Sequence, residues 1–223
     1  MEQKTVHFSI DDIGGTLRHL THTRPSSLFD LPLFKRLKSW NLKYGVKATM
    51  YCYALVEGDF LISEIPGCYA KDFTESEDWL KFGFHSKRDI PGKEETGYAA
   101  GFELIETTMS KLSAGTTDIL RMHYYEATSE QKVFLREKGV KTLLYIDDDS
   151  IPYDENDIFM DCGLRHFRTR VQFEKIPSIT PEALHIGRNN IAAFTHEWCF
   201  DENADKIEHG FEIYHEEGYV FVG

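Results

Sequence analysis

Two carboxylates stand side by side near the start of the chain, Asp11 and Asp12, in the run Thr5-Val6-His7-Phe8-Ser9-Ile10-Asp11-Asp12-Ile13-Gly14-Gly15. Adjacent like charges repel, so the pair must be solvated, hydrogen-bonded or bound to a cation. Val6, Phe8 and Ile10 alternate with smaller or polar residues, the period-two pattern of a half-buried strand. Neighbouring side chains on a strand face opposite ways, but at its very end the chain can turn both toward one cleft. A strand-end Asp-Asp is therefore a candidate for metal binding combined with acid–base chemistry. The plainer reading is an acidic turn, because Asp and Gly are also ordinary turn residues.

The same arrangement recurs along the chain. Phe82-Gly83-Phe84 runs into His85, and Ile119-Leu120 into Arg121-Met122-His123, the start of a strand expected to reach Tyr125. Val140 to Ile146 runs into Asp147-Asp148-Asp149, and Ile191 to Thr195 into His196. Each reads as a strand that delivers polar residues at its C-terminal end. Further strands are expected over Val46–Tyr53, Phe167–Phe173 and Tyr219–Val222. Apolar residues at helical spacing predict helices over 31–44, 76–81, 98–112, 129–138 and 207–216. Residues 16–30, 89–95 and 150–164 read as loops. Strand and helix alternate with no internal repeat or low-complexity linker. That predicts one α/β domain over 1–223 with a mainly parallel sheet or barrel, in which the C-terminal strand ends hold the active site.

Composition narrows the partners. The 223 residues are 41% hydrophobic, enough for a substantial core, and carry a net charge of −12. An excess of acid argues against nucleic acid as the main partner, since phosphate binding needs a basic face. No apolar run reaches the ~20 residues that cross a bilayer. No basic–apolar leader precedes the first strand, which predicts a cytoplasmic protein. The four cysteines, Cys52, Cys68, Cys162 and Cys199, lack metal-site spacing and read as reduced thiols. His7, His19, His22, His166, His185, His209 and His215 read as surface or structural histidines, and Trp40 and Trp79 as core residues.

The order of motifs resembles the polysaccharide deacetylase family, the NodB-homology domains, over roughly residues 5–200. Ser9-Ile10-Asp11-Asp12 is similar to the family's Thr-Phe-Asp-Asp, and Val46-Lys47-Ala48-Thr49-Met50-Tyr51 to its second strand. Phe84-His85-Ser86 is similar to the start of its His-Ser/Thr-x-x-His motif, Arg121 with Tyr124 to Arg-x-Pro-Tyr, and Phe194-Thr195-His196 to Leu-x-His. The resemblance implies an irregular (β/α) barrel and a divalent metal, usually zinc, with cobalt, manganese or nickel as substitutes. It implies Asp11 as general base, Asp12 and His85 as metal ligands, Arg121 orienting the base, and His196 as general acid. Four residues after His85 stands Asp89 instead of the second histidine; the shared spacing favours Asp89 as the third ligand, with His123, which replaces the family's Pro, as the alternative. Tyr53, Tyr124, Tyr125 and Trp198 flank these motifs and offer faces for a sugar ring. Asp147 and Asp148 are expected behind Arg121 or His196.

The activity implied is hydrolysis of an N-acyl group on a sugar, or on a sugar-nucleotide or lipid-linked precursor of surface polysaccharide. Two other readings stand beside it. Asp147-Asp148-Asp149 resembles the metal-binding Asp-x-Asp of glycosyltransferases, and the replaced histidine suits an inactive carbohydrate-binding barrel.

Overall fold

The computed structural model describes residues 3–56, 58–89, 97–125 and 127–223. In chain order these form β1 (Thr5–Ile13), α1 (Gly15–Thr23), α2 (Pro32–Tyr44), β2 (Ala48–Val56), β3 (Phe60–Leu61), α3 (Ala70–Ser76) and β4 (Leu80–Arg88). Then come α4 (Tyr98–Lys111), β5 (Gly115–Thr116), β6 (Ile119–Leu120), α5 (Ser129–Glu137), β7 (Thr142–Tyr145), β8 (Ile158–Asp161) and β9 (Leu164–Arg168). The chain closes with β10 (Val171–Gln172), β11 (Asn190–His196), α6 (Phe200–Glu216) and β12 (Val220–Val222).

The strands make two sheets, ordered β10-β11-β1-β2-β4-β5 and β6-β7-β9-β8, with β12 on β1 and β3 on β2. All pairings are parallel except β2–β3 and β8–β9. Only two residues separate β5 from β6, and two separate β9 from β10. The sheets therefore meet at two corners and curl into an irregular, mainly parallel barrel. Parallel pairing brings the C-terminal ends of β1, β2, β4 and β11 to one rim.

The period-two pattern of β1 has a different meaning from the half-exposed strand expected. Val6, Phe8 and Ile10 are buried, and so are His7, Ser9 and Asp11. Both faces are covered, as parallel strands in a barrel require. The apolar face packs on helices: the Phe8 ring meets Phe211 of α6 edge-on at 4.8 Å, and Trp40 of α2 meets Phe211 at 5.2 Å. The polar face lines the barrel interior, where His7 Nε2 lies 3.2 Å from the Tyr51 hydroxyl. The O–H of Tyr51 donates to the Ile119 carbonyl, so His7 is the donor in that pair.

Four expectations change. Residues 16–30 contain α1 because Glu197, far away in sequence, accepts from the backbone N–H groups of Gly14, Gly15 and Thr16 at 3.0, 2.9 and 2.5 Å. That distant carboxylate caps the helix and its dipole. The short helix expected over 76–81 ends at Ser76, because Leu80, Phe82 and Phe84 alternate into β4. The strand expected through Tyr125 stops at Leu120, and His123–Tyr125 forms a 3-10 turn with Tyr124 and Tyr125 at φ 57° and 61°. Residues 150–164 contain β8, joined to β9 by Cys162-Gly163, both at positive φ. Such two-residue turns match the twist of a hairpin. The loop expected over 89–95 lies, beyond Asp89, outside the described residues. Cys52, Cys68, Cys162 and Cys199 are free thiols. Among the described residues no helix is long and apolar enough to cross a membrane.

Candidate active site

Asp11 and Asp12 lie in the last turns of β1, where pairing with β2 slips between Ile10 and Ile13. Asp12 takes a left-handed φ of 64° at this irregularity. The bulge re-aims the side chain, so both carboxylates reach the rim from one strand.

Asp11 is 2% exposed and Arg121 1%. Arg121 Nε lies 2.5 Å from Asp11 Oδ2, and its Nη1–H donates to Thr169 Oγ1 at 2.9 Å. The Asp11 contact is a close ion pair and not a directed hydrogen bond. The guanidinium is sandwiched between the rings of Phe194 and Tyr125, 3.5 and 4.4 Å from their centroids. Asp11 Oδ1 has no partner among the described residues. Burial raises the Asp11 pKa, and the Arg121 charge offsets only part of that rise.

Asp12 Oδ1 lies 3.2 Å from His85 Nε2 and 3.8 Å from His123 Nε2. The Trp198 Nε1–H donates to Asp12 Oδ2 at 3.1 Å, leaving Oδ1 as the oxygen that faces the histidines. His85 Nδ1 is 2.5 Å from the carbonyl of Arg121. A carbonyl only accepts, so Nδ1 carries the proton and Nε2 points at Asp12. Two lone-pair atoms 3.2 Å apart need a proton or a cation between them. Burial opposes the Asp12 charge, yet the neighbouring His85 and the Tyr53 hydroxyl outweigh it and hold the carboxyl well below the usual carboxylate range.

Asp12, His85 and His123 offer donor atoms all within 4.8 Å of one another. An oxygen and two imidazole nitrogens, one fixed from behind by a backbone carbonyl, are a donor set that fits zinc and its neighbours. Among the described residues it is His123, not Asp89, that joins Asp12 and His85. Asp89 follows the end of β4 and is near enough to Tyr53 to raise its pKa, after burial and the Asp12 contact.

His196 ends β11 directly opposite Asp11 in the β1–β11 register. Its Nδ1–H donates to Glu174 Oε1, which also accepts from Gln172 Nε2 at 2.7 Å. Burial works against a charged imidazole, but Glu174 and the Asp11 charge outweigh it, and the His196 pKa is raised. Glu174 follows β10 and carries the same signal as the other tips, a polar residue ending an alternating run. Nothing in its spacing pointed to His196.

The remaining residues separate. Trp198, 72% exposed, stacks on His196 at 5.2 Å, and Tyr124 stacks on His123 at 4.2 Å. Tyr125 packs against Arg121, and the Tyr53 hydroxyl donates to Asp12 Oδ1. Asp147 and Asp148 do not stand behind Arg121 or His196. Asp147 and Asp149 pair with Arg168, and Asp148 caps the turn at Ser150. Arg168 reaches them because it pairs with Tyr145 across β7 and β9. With Asp147 and Asp149 paired to Arg168 and Asp148 turned to its own backbone turn, the three acids lack the character of an Asp-x-Asp metal motif.

No family model and no curated protein matches the sequence. Solved structures do. The Bc1960 peptidoglycan N-acetylglucosamine deacetylase is 14% identical at a TM-score of 0.57, covering 99% of this chain and 86% of its own. A family 4 acetyl xylan esterase from Clostridium thermocellum, in complex with cobalt, is 15% identical at 0.53, covering 98% and 87%. Other deacetylases and family 4 esterases match in the same way. The chain has the polysaccharide deacetylase fold. A 4-alpha-glucanotransferase from Thermococcus litoralis also matches, at 0.58 and 14% identity, covering all of this chain and 39% of its own. The polysaccharide deacetylase fold thus resembles scaffolds of other chemistry, and the reaction has to be argued from the site.

Proposed function

We propose that the chain is a metal-dependent hydrolase that removes an acetyl group from the nitrogen of a sugar. Its substrate would be a carbohydrate, free or as a nucleotide- or lipid-linked precursor. The observation that carries this reading is the pairing of Asp11 with His196 across β1 and β11, each held by its own charged partner, beside the Asp12–His85–His123 donors.

Asp12, His85 and His123 would hold the metal, zinc first and cobalt, manganese or nickel as substitutes. When bound, the metal supplies Lewis-acid polarisation of the acyl carbonyl. Asp11 takes a proton from the attacking water through Oδ1, the oxygen with no described partner. Burial brings its pKa closer to the working pH, which favours proton transfer. Arg121, gripped by two rings and Thr169, keeps the carboxylate ionised and fixes its direction. On the other side His196 gives a proton to the leaving amine, while Glu174 holds the opposite ring nitrogen and stabilises the imidazolium. Acid and base are thereby in different protonation states at one pH. The exposed rings of Trp198 and Tyr124 border the donors and present faces on which a sugar can stack.

Acetate release tests the reading. Protein loaded with zinc or cobalt should liberate acetate from N-acetylglucosamine oligomers or from UDP-N-acetylglucosamine, and Asp11→Asn should abolish it. Release of UDP without acetate would favour glycosyl transfer and overturn the proposal.

A further inference from the structure

We infer that Tyr53 is a fourth protein donor to the metal, held in the position that a substrate oxygen later takes. This rests on the metal reading above.

The Tyr53 hydroxyl lies inside the donor group, not at its edge. It donates to Asp12 Oδ1, the oxygen that faces both histidines, and lies 3.3 Å from His123 Nε2. A tetrahedral metal with bonds of about 2.0–2.2 Å keeps neighbouring donor atoms about 3.3–3.6 Å apart. Here Asp12 Oδ1 to His85 Nε2 is 3.2 Å, Tyr53 Oη to His123 Nε2 is 3.3 Å, and Asp12 Oδ1 to His123 Nε2 is 3.8 Å. Tyr53 and Asp12 are joined by a hydrogen bond, the phenol O–H donating to Oδ1. Donor atoms from β1, β2, β4 and the 3-10 turn after β6 thus converge on one place at the rim.

The elements around Tyr53 support this geometry. Its residue is 6% exposed, so the hydroxyl is not a surface group swinging past. Its ring packs against His85 at 5.7 Å and His123 at 5.5 Å, which holds the phenol beside both imidazoles. Asp12 Oδ2 is tied to Trp198, so Asp12 turns Oδ1 alone toward the histidines and Tyr53. With a cation held there, Tyr53 Oη would bind it as the phenolate, its proton released to solvent. A divalent charge makes that ionisation favourable where a buried carboxylate alone opposes it. A substrate carbonyl oxygen would compete with Tyr53 for that place, and the displaced phenolate would take back a proton from solvent and serve as a hydrogen-bond donor.

Copper(II) gives a direct readout. The full chain, stripped with chelator and titrated with copper(II), should bind one equivalent and develop an intense phenolate-to-copper charge-transfer band in the visible. Tyr53→Phe should still bind copper, about tenfold more weakly, and lack the band. Acetohydroxamate, which chelates metals through two oxygens, should bleach the band in the unaltered protein. Copper binding without the band, or a band that persists in Tyr53→Phe, overturns the assignment of Tyr53 while leaving the three-donor site standing. A band unchanged under saturating acetohydroxamate overturns displacement. Failure to bind copper at all overturns both this inference and the metal reading.

Discussion

The carbonyl of Arg121 accepts the Nδ1–H of His85 at 2.5 Å, while the side chain of the same arginine pairs with Asp11. One residue thus orients the proposed metal ligand through its main chain and the proposed base through its guanidinium.

The two tasks can be separated by mutation. Arg121→Met leaves the Asp11 carboxylate buried without its counter-charge, and removing one partner of a buried pair costs about 3–5 kcal/mol. Urea unfolding should show that loss, and the double variant Asp11→Asn/Arg121→Met should lose less than Arg121→Met alone. Turnover should fall about 100-fold or more, in the range of a disabled acid–base group. Metal affinity should change less than about tenfold, because the carbonyl that holds His85 remains.

Glu174 should govern the alkaline side of the pH profile. His196 must be protonated to act as the acid, and its raised pKa extends the range in which it is. Glu174→Gln removes the charge that outweighs burial, so the His196 pKa falls. The alkaline limb of kcat should move to lower pH, with KM and the acid limb little altered. An unshifted limb would assign the proton donor elsewhere.

The barrel and much of its rim were legible because a polar residue at the end of an apolar strand breaks the strand's own pattern, as Asp11-Asp12 do in β1, His85 in β4 and His196 in β11. What escaped the sequence depends on distant partners. Nothing local to residues 15–23 announces that Glu197 will cap α1. Asp147–Asp149 read as a metal motif because their neutralising Arg168 enters only through the β7–β9 register. His123 sat in an expected strand, whereas two consecutive left-handed tyrosines turn it toward Asp12. Bulky residues adopt that conformation only where the surroundings impose it.

Stability should fall in mild acid through His7. Burial, with help from the Arg121 charge, lowers its pKa to about 4, against about 6.5 in the unfolded chain. Between those values the unfolded state binds a proton that the folded state refuses. The contribution is therefore intact above pH 6.5, is lost as pH falls toward 4, and amounts to about 3 kcal/mol when complete. His166, also lowered to about 4 by burial, acts with the same sign. Urea unfolding at pH 7 and pH 4.5 should show the drop, and His7→Gln, which keeps a donor for Tyr51, should show less of it.

The third metal ligand can be decided by affinity. His123 Nε2 stands with Asp12 and His85, while Asp89 lies outside that group. His123→Ala removes one of three donors and should weaken zinc by at least about 100-fold, more than loss of an outer partner does. Asp89→Asn should leave zinc affinity within a few-fold, since Asp89 is not one of the three grouped donors. Asp12→Asn should weaken zinc as His123→Ala does, and Asp11→Asn should leave it bound while turnover vanishes. Competition against a chromophoric chelator measures all four. The opposite ranking, with Asp89→Asn severe and His123→Ala mild, would return the third position to Asp89 and leave the His123 turn as a wall of the substrate cleft.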